Sequence, residues 1–157
     1  MGVRVSKRLM AVVGVGAVVG VATPFAVSAA APGKKASEAQ IRELFVEWNA
    51  SLATGDSGKV ADRYAADAVL VPTVSNEVRA DRARIVDYFD HFLENDPTAV
   101  ITESHVSVLD ADTAVDTGTY RFTLGGDRTV DARYTFVYEQ RDGAWLIVNH
   151  HSSAMPE

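Results

Sequence analysis

The first half of the folded chain has the apolar spacing of helices. From Ile41 to Leu52, apolar side chains recur three and four positions apart, which predicts one long amphipathic helix. Ser37 and Gln40 have the spacing of a capping box, in which each residue satisfies a free backbone N–H at the start of a helix. We therefore expect this helix to begin directly after Ser37.

Two further helices and a short strand are predicted before the pattern changes. The second helix is short and runs from Asp56 or Ser57 through Tyr64. A strand follows over residues 68–71. The third helix covers residues 82–93, where apolar positions again recur at helical spacing.

From about residue 100 the period changes from 3.6 to 2. Alternating segments at 101–109, 114–124, 130–140 and 144–152 are separated by turns rich in aspartate and glycine. This arrangement is typical of antiparallel hairpins. Three helices that precede such strands predict an α+β domain with the helices covering one face of the sheet.

Alternation also assigns the faces of the strands. Aromatic residues occupy the even-numbered positions of the segments 114–124 and 130–140, so this face is predicted to lie under the helices. The odd-numbered face carries threonines and arginines, and it suits solvent or the sheet of a partner. In the last strand, one face is predicted to carry Leu146, Val148, His150 and Ser152, and the other Trp145, Ile147, Asn149 and His151.

The N-terminal residues have the pattern of a secretory signal. Residues 1–31 contain a basic start, an apolar run and small residues suited to peptidase cleavage. We predict a signal peptide at 1–31, a linker at 32–36 and a folded domain at 37–157. The alternative is an uncleaved anchor, although the apolar run is shorter than the roughly 20 residues of a spanning helix. The expected location is extracellular or in the cell envelope, without membrane contact after cleavage.

Composition excludes several classes of function. The formal charge is −6, and without residues 1–31 it becomes −9, so the domain lacks the basic surface of a nucleic-acid-binding protein. The absence of cysteine excludes disulfides and thiolate chemistry. The histidines have no metal-ligand spacing, and no phosphate-binding or dinucleotide motif is present. We expect neither a metal nor a cofactor.

Four short motifs accompany this order of elements: Trp48-Asn49, Thr54-Gly55-Asp56, Tyr64-Ala65-Ala66-Asp67-Ala68-Val69 and Asp142-Gly143-Ala144-Trp145. Together with the order of elements, they resemble the nuclear transport factor 2-like (cystatin-like) superfamily of cone-shaped α+β domains. Residues 133–138, 141–143 and 145–153 are most similar to the calcium/calmodulin-dependent kinase II association-domain family, including stand-alone bacterial proteins of the SgcJ/EcaC type. The resemblance spans residues 37–157.

This resemblance implies a curved sheet, a pocket at the open end of the cone, and pairing of domains through the outer sheet face into a homodimer or larger ring. It does not imply kinase activity, because the sequence contains no kinase catalytic segment. In the animal hub domains two arginines lie in the pocket, and the corresponding positions here are Phe136 and Ser152. Their preference for anionic ligands is therefore not expected to carry over.

His150 and Asp67 are the candidates for catalytic chemistry. His150 and His151 are neighbours on a strand and point to opposite faces, so they cannot bind one metal ion together. His150 is predicted to face the pocket as a base or hydrogen-bond donor. Asp67, predicted just after the second helix, is a candidate general base near tyrosine hydroxyls. A structural histidine and a turn-capping aspartate remain the alternatives.

The ligand-binding candidates combine hydroxyl groups with aromatic surface, which suits a small planar or apolar molecule. They are Tyr64, Tyr120, Tyr134, Phe136 and Ser152 in the pocket, with Asn76 and Arg79 in the loop at its mouth. Each tyrosine also fits a purely structural place in the core. The two loop residues suit a polar or anionic ligand, or contacts with a partner subunit.

Two functions remain open from the sequence. The first is an exported, self-associating domain that binds an unidentified small molecule without catalysis. The second is a cofactor-independent acid–base enzyme of the isomerase, cyclase or dehydratase type, which uses His150 with Asp67 or a tyrosine. The enzyme requires a second proton-transfer group beside His150 in one cavity, whereas the binding domain does not.

Overall fold

The computed structural model describes residues 34–156, which form three helices and a five-stranded sheet. The predicted signal, the first two linker positions and Glu157 lie outside the described residues. The helices are α1 (Glu38–Leu52), α2 (Ser57–Ala61) and α3 (Arg82–Phe92), the last extended by a 3₁₀ turn at Leu93–Asn95. The strands are β1 (Tyr64–Val71), β2 (Thr98–Val108), β3 (Thr113–Leu124), β4 (Arg128–Arg141) and β5 (Ala144–Ala154). The predicted α+β class is confirmed.

The start of α1 has the predicted capping box. The backbone N–H of Gln40 donates to Ser37 Oγ at 3.2 Å, and the backbone N–H of Ser37 donates to Gln40 Oε1 at 2.9 Å. Asp56 and Asp81 cap α2 and α3 through their carboxylates. At the other end of α1, the amide of Asn49 exchanges two hydrogen bonds with the backbone of Ala99, each 2.9 Å long. The helix is therefore held against the edge strand β2.

The prediction that the second helix extends to Tyr64 is wrong. That helix ends at Ala61, and Tyr64 is the first residue of β1, which is four residues longer at its start than the predicted 68–71. The cause is tertiary: β1 pairs in parallel with β5, and the N–H of Ile147 donates to the carbonyl of Arg63 at 2.9 Å. Pairing with a strand distant in sequence overrides the helical preference of this alanine-rich segment.

The sheet has the order β1-β5-β4-β3-β2, and only the β1–β5 pair is parallel. The helices cover one face, and the even-numbered aromatic residues of β3 and β4 are buried beneath them, as predicted. These are Tyr120, Phe122, Tyr134, Phe136 and Tyr138, which pack around Trp48 and Phe45 of α1. Among the helices of residues 34–156, none combines the length and apolarity needed to span a bilayer.

A β-bulge in β5 changes which side chains face the core. Tyr138 pairs with Ile147, but Val137 pairs with Asn149, so Val148 is an extra residue. Ile147 is therefore buried together with His150, whereas uniform alternation predicted opposite faces for them. The predicted assignment is correct for His150 and Ser152 after the bulge and wrong for Leu146, Ile147 and Val148 before it.

A second bulge lies in β2 opposite Tyr120 and Thr119, and Gly118 of β3 pairs with Ser104 directly after it. Ile101 pairs with Tyr120 and Glu103 pairs with Thr119, so the parity of β2 also changes along the strand. A Cβ atom on Gly118 would lie 1.9 Å from the carbonyl oxygen of Glu103. Only glycine allows this close approach of the two backbones.

Candidate functional site

A hydrogen-bonded chain of three buried side chains connects α1, β1 and β5. Trp48 Nε1 donates to Tyr64 Oη at 3.0 Å, and the same hydroxyl lies 2.9 Å from His150 Nδ1. Because an indole N–H can only donate, the Tyr64 oxygen accepts this bond and its own proton is free to go to Nδ1. The arrangement satisfies the polar groups of Trp48 and Tyr64 and fixes the orientation of the imidazole.

His150 is held as a neutral imidazole. Its side chain is 3 % exposed, and the Phe136 ring stacks on it with centroids 4.0 Å apart. Burial away from water lowers the pKa of His150 to about 3, with a smaller contribution from the nearby His151. We assign Nδ1 as the acceptor of the Tyr64 proton, since this hydroxyl has no other acceptor among the described residues, and this assignment places the single ring proton on Nε2.

The Nε2 atom of His150 is buried and has no hydrogen-bond partner among the described residues. His150 contributes to the wall of a small cavity, whereas Tyr64, the partner of its Nδ1 atom, does not. A buried N–H without an acceptor costs about 1–3 kcal/mol. A residue of the cavity wall thus carries a hydrogen-bond donor for which the described residues supply no acceptor.

The cavity lies between α3 and the sheet, and its volume is about 30 Å³. Its surface is mostly apolar, with a few convergent polar groups. The lining residues are Trp48, Leu70, Pro72, Tyr88, Phe89, Phe92 and Phe122, with Thr73, Tyr120, His150 and Ser152 as the polar members. This volume is enough for about one or two water molecules, so a larger ligand requires movement of the wall.

Three hydroxyl groups form a second polar feature of the cavity. Tyr120 Oη donates to Ser152 Oγ at 2.5 Å, and Ser152 Oγ lies 2.5 Å from Thr73 Oγ1. The sequence predicted pocket positions for Tyr120 and Ser152, and both residues line the cavity. Thr73 begins the loop that was predicted at the mouth of the pocket, but its hydroxyl was not among the predicted ligand-binding groups.

Asp67 does not lie in the cavity, so its predicted place beside His150 is wrong. Its carboxylate is exposed and forms an ion pair with Arg141 at 2.5 Å. The hydrogen bond from Arg141 lowers the pKa of Asp67. Because Tyr64 begins β1, Asp67 is in the middle of a strand rather than at the end of a helix, and its side chain points away from the core.

Tyr134 and Phe136 are buried but do not line the cavity. The Phe136 ring stacks against one face of the His150 ring. Tyr134 Oη donates to Asp116 Oδ1 at 3.1 Å, and Ser104 Oγ donates to the same oxygen at 2.7 Å. Burial raises the pKa of Asp116. Asp116 shares the even parity of the aromatic residues in β3, and this was the sequence signal for its inward position.

The two loop candidates have different surroundings. Asn76 is exposed and lines neither the cavity nor the adjacent groove. Arg79 is largely buried, forms an ion pair with Asp87 at 2.5 Å, and exchanges two backbone hydrogen bonds with Leu70. It lines an outer groove of about 190 Å³ together with Ser75, Tyr88, His91, Phe92, Asn95 and Val74.

Within residues 34–156, no group of three or more histidine or acidic side chains is placed to hold a metal ion. His105 and His91 lie on the surface, in β2 and α3, away from His150. The geometry therefore offers hydrogen bonding and apolar contact at the cavity.

The sequence profile described as the calcium/calmodulin dependent protein kinase II association domain matches residues 37–156. The chain belongs to this family. A solved protein from Xanthomonas campestris described as such an association domain is 55 % identical, with a TM-score of 0.75 over 82 % of this chain and 99 % of that one. The resemblance stated from the motifs is confirmed.

More distant structures share the fold of the association-domain family. An NTF2-like protein of unknown function from Pseudomonas putida is 19 % identical, with a TM-score of 0.67 over 76 % of this chain and 87 % of that one. A dehydratase candidate of the NTF2-like family from Streptomyces avermitilis is 17 % identical, with a TM-score of 0.66 over 76 % and 97 %. No curated protein matches the chain. At such identities the likeness concerns the fold alone.

Proposed function

We propose that the protein is an exported, self-associating domain that binds a small molecule in the cavity beside His150. The observation that carries the binding part is His150, a residue of the cavity wall whose buried Nε2 atom lacks a hydrogen-bond partner among the described residues. An acceptor atom on a ligand would satisfy this donor in an apolar surrounding, where hydrogen bonds are strong. The apolar wall with few polar groups has the composition of a ligand site.

Self-association is supported by the open face of the sheet. The helices cover the inner face only, while the outer face of β3, β4 and β5 presents a shallow groove of about 330 Å³. Thr117, Arg133, Thr135, His151 and Ser153 line this groove. An open sheet surface lined mainly by small polar side chains, with Arg133 and His151, suits contact with a second copy, and the matching family is one of association domains.

Export is supported by the N-terminal sequence alone. Residues 1–31 combine basic residues, an apolar run and small residues in the order of a signal peptide.

The net charge of the remaining chain is acidic, which fits a protein without nucleic-acid partners.

Acid–base catalysis is less well supported than binding. Asp67 is paired with Arg141 on the surface, so it supplies no proton transfer beside His150. The pKa of His150 is about 3, which makes the imidazole a weak base at neutral pH. Its neutral N–H remains suited to donating a hydrogen bond to a ligand.

Native mass spectrometry of the protein purified from its own host tests the proposal. We expect a mass that is a multiple of a subunit cleaved near residue 31, together with a small molecule that is released on activation. A monomer without added mass would contradict both association and binding. A subunit that retains residues 1–31 would contradict cleavage of the signal.

A further inference from the structure

The residues that line the cavity carry more hydrogen-bond donors than the described part of the chain uses. His150 Nε2 has no partner among residues 34–156. The hydroxyls of Tyr120, Ser152 and Thr73 have three protons but form only two hydrogen bonds with one another. The Tyr120 proton is used in the bond to Ser152, and the bond between Ser152 and Thr73 uses the proton of one of these two residues. One hydroxyl proton, on Ser152 or Thr73, is thus also free for a ligand.

The cavity has no cation to accompany these donors. None of the described residues that line it is lysine, arginine, aspartate or glutamate. Arg79 lies in the outer groove, where one guanidinium nitrogen is paired with Asp87 at 2.5 Å and lies 3.7 Å from Glu77, while its Nε atom has no partner among the described residues. A carboxylate in the cavity would therefore be buried without a countercharge, which is costly.

Two aromatic side chains separate the cavity from the outer groove. Tyr88 and Phe92, one turn apart on α3, line both spaces, and their rings stack with centroids 5.6 Å apart and planes at 14°. Both are only half-buried. A change in their rotamers would connect the inner space of about 30 Å³ with the groove of about 190 Å³. The joined space has room for a single aromatic ring.

We infer that the site takes an uncharged molecule with a flat apolar body and a carbonyl or amide oxygen, which passes Tyr88 and Phe92 and accepts hydrogen bonds from His150 Nε2 and the Ser152–Thr73 hydroxyl pair. A carbonyl oxygen has two lone pairs and so matches two converging donors. The apolar ring contacts Trp48, Phe89 and Phe122. This inference rests on the proposed binding function and specifies its ligand class.

Benzamide and benzoate form a matched pair of probes, because they have the same ring and nearly the same size but differ in charge. Dissociation constants are measured for both by NMR titration at pH 7 with the intact protein. We expect benzamide to bind at least about tenfold more tightly than benzoate. Equal or tighter binding of benzoate overturns the uncharged ligand class while leaving small-molecule binding intact.

Three variants examine the route and the donors. Phe92→Ala widens the passage and is expected to bind benzamide more tightly or faster than the wild type. Ser152→Ala removes one donor partner and His150→Phe removes the N–H while keeping a ring; each should weaken benzamide binding by about tenfold. Tyr138→Phe, whose hydroxyl lies outside the cavity, is the control and should bind unchanged.

Binding of neither probe to the wild type or to Phe92→Ala overturns the inference. The proposed function is then decided separately by the molecule retained in native mass spectrometry. Unchanged benzamide affinity in both Ser152→Ala and a correctly folded His150→Phe likewise overturns the assigned donors.

Discussion

Tyr64 Oη lies 2.9 Å from His150 Nδ1, although the two residues are 86 positions apart in the chain. Parallel pairing of β1 with β5 brings them together, and the indole of Trp48 completes the contact. The hydroxyl has two consequences. It satisfies two buried nitrogen atoms, and it leaves the single proton of the imidazole on the side of the cavity.

Replacement of Tyr64 by phenylalanine should destabilise the protein. The change leaves Trp48 Nε1 and His150 Nδ1 buried without their partner, and we expect a loss of about 2–4 kcal/mol in the free energy of unfolding. Urea denaturation monitored by circular dichroism measures it. Tyr138→Phe is the matched control, because its buried hydroxyl has no hydrogen-bond partner among the described residues and its removal should cost little. Equal losses in both variants would contradict the role assigned to Tyr64.

Stability should fall as the pH is lowered from about 6.5 towards 3. The pKa of His150 is lowered from 6.5 to about 3 in the folded protein, so between these values the unfolded chain binds a proton that the native state does not. The contribution of neutral His150 to the free energy of unfolding is fully present above pH 6.5, and it decreases by about 1.4 kcal/mol for each pH unit below this value. At pH 5 the loss from this group is about 2 kcal/mol.

The comparison with His150→Phe isolates this effect. Other groups, such as Asp116 with its raised pKa, titrate in both proteins, so their contributions cancel in the difference. Urea denaturation at pH 7 and pH 5 should show a smaller loss of stability in the variant. The same loss in both proteins would mean that His150 is not buried in its neutral form.

Gly118→Ala should disturb the sheet. The new Cβ would lie 1.9 Å from the backbone oxygen of Glu103, so the bulge in β2 would have to shift. We expect a loss of about 3 kcal/mol or more in the free energy of unfolding, or failure to fold. Gly125→Ala is the control, since its nearest neighbour atom would be 3.6 Å away. Melting temperatures are measured by thermal denaturation. Equal values for the two variants would contradict the close approach of the Gly118 and Glu103 backbones.

Thr135→Arg should prevent self-association through the sheet. Thr135 lies on β4, the central strand, opposite both Thr117 and His151 on the outer face. An added charge at the centre of a subunit contact must lose its water, which weakens the contact. Light scattering should give a lower mass than for the wild type. Glu43→Arg, on the exposed face of α1, should keep the wild-type mass. If Glu43→Arg lowered the mass and Thr135→Arg did not, the contact between subunits would be assigned to the helices.

Local patterns were sufficient to predict most of the fold but not the composition of the site. Alternation placed Tyr120 and Phe136 on the inner face because one face of each strand must be buried, and the capping box located the start of α1. The wrong predictions for β5 and for Asp67 both have tertiary causes. The extra residue Val148 reverses the faces within β5, and this bulge depends on pairing with β4.

The error at Asp67 has the same origin. Its partner Arg141 is 74 residues away, and its surface position follows from the parallel pairing of β1 with β5. The loop that begins at Thr73 was predicted at the mouth of the pocket, but the places of Thr73, Tyr88 and Phe92 in the cavity wall were not, because the packing of this loop and α3 against β5 has no local sequence signal. His150 and Ser152 were found because both follow the bulge and keep the parity assigned to them.

The most direct test of the binding site is the proton on His150. Long-range ¹H–¹⁵N NMR on protein with ¹⁵N-labelled histidine identifies which ring nitrogen carries it. We expect a neutral His150 with the proton on Nε2 at pH 7, and a shift of its Nε2 and Hε2 resonances on addition of benzamide. A charged ring, a proton on Nδ1, or an Nε2 resonance that does not respond to a bound ligand would contradict the account.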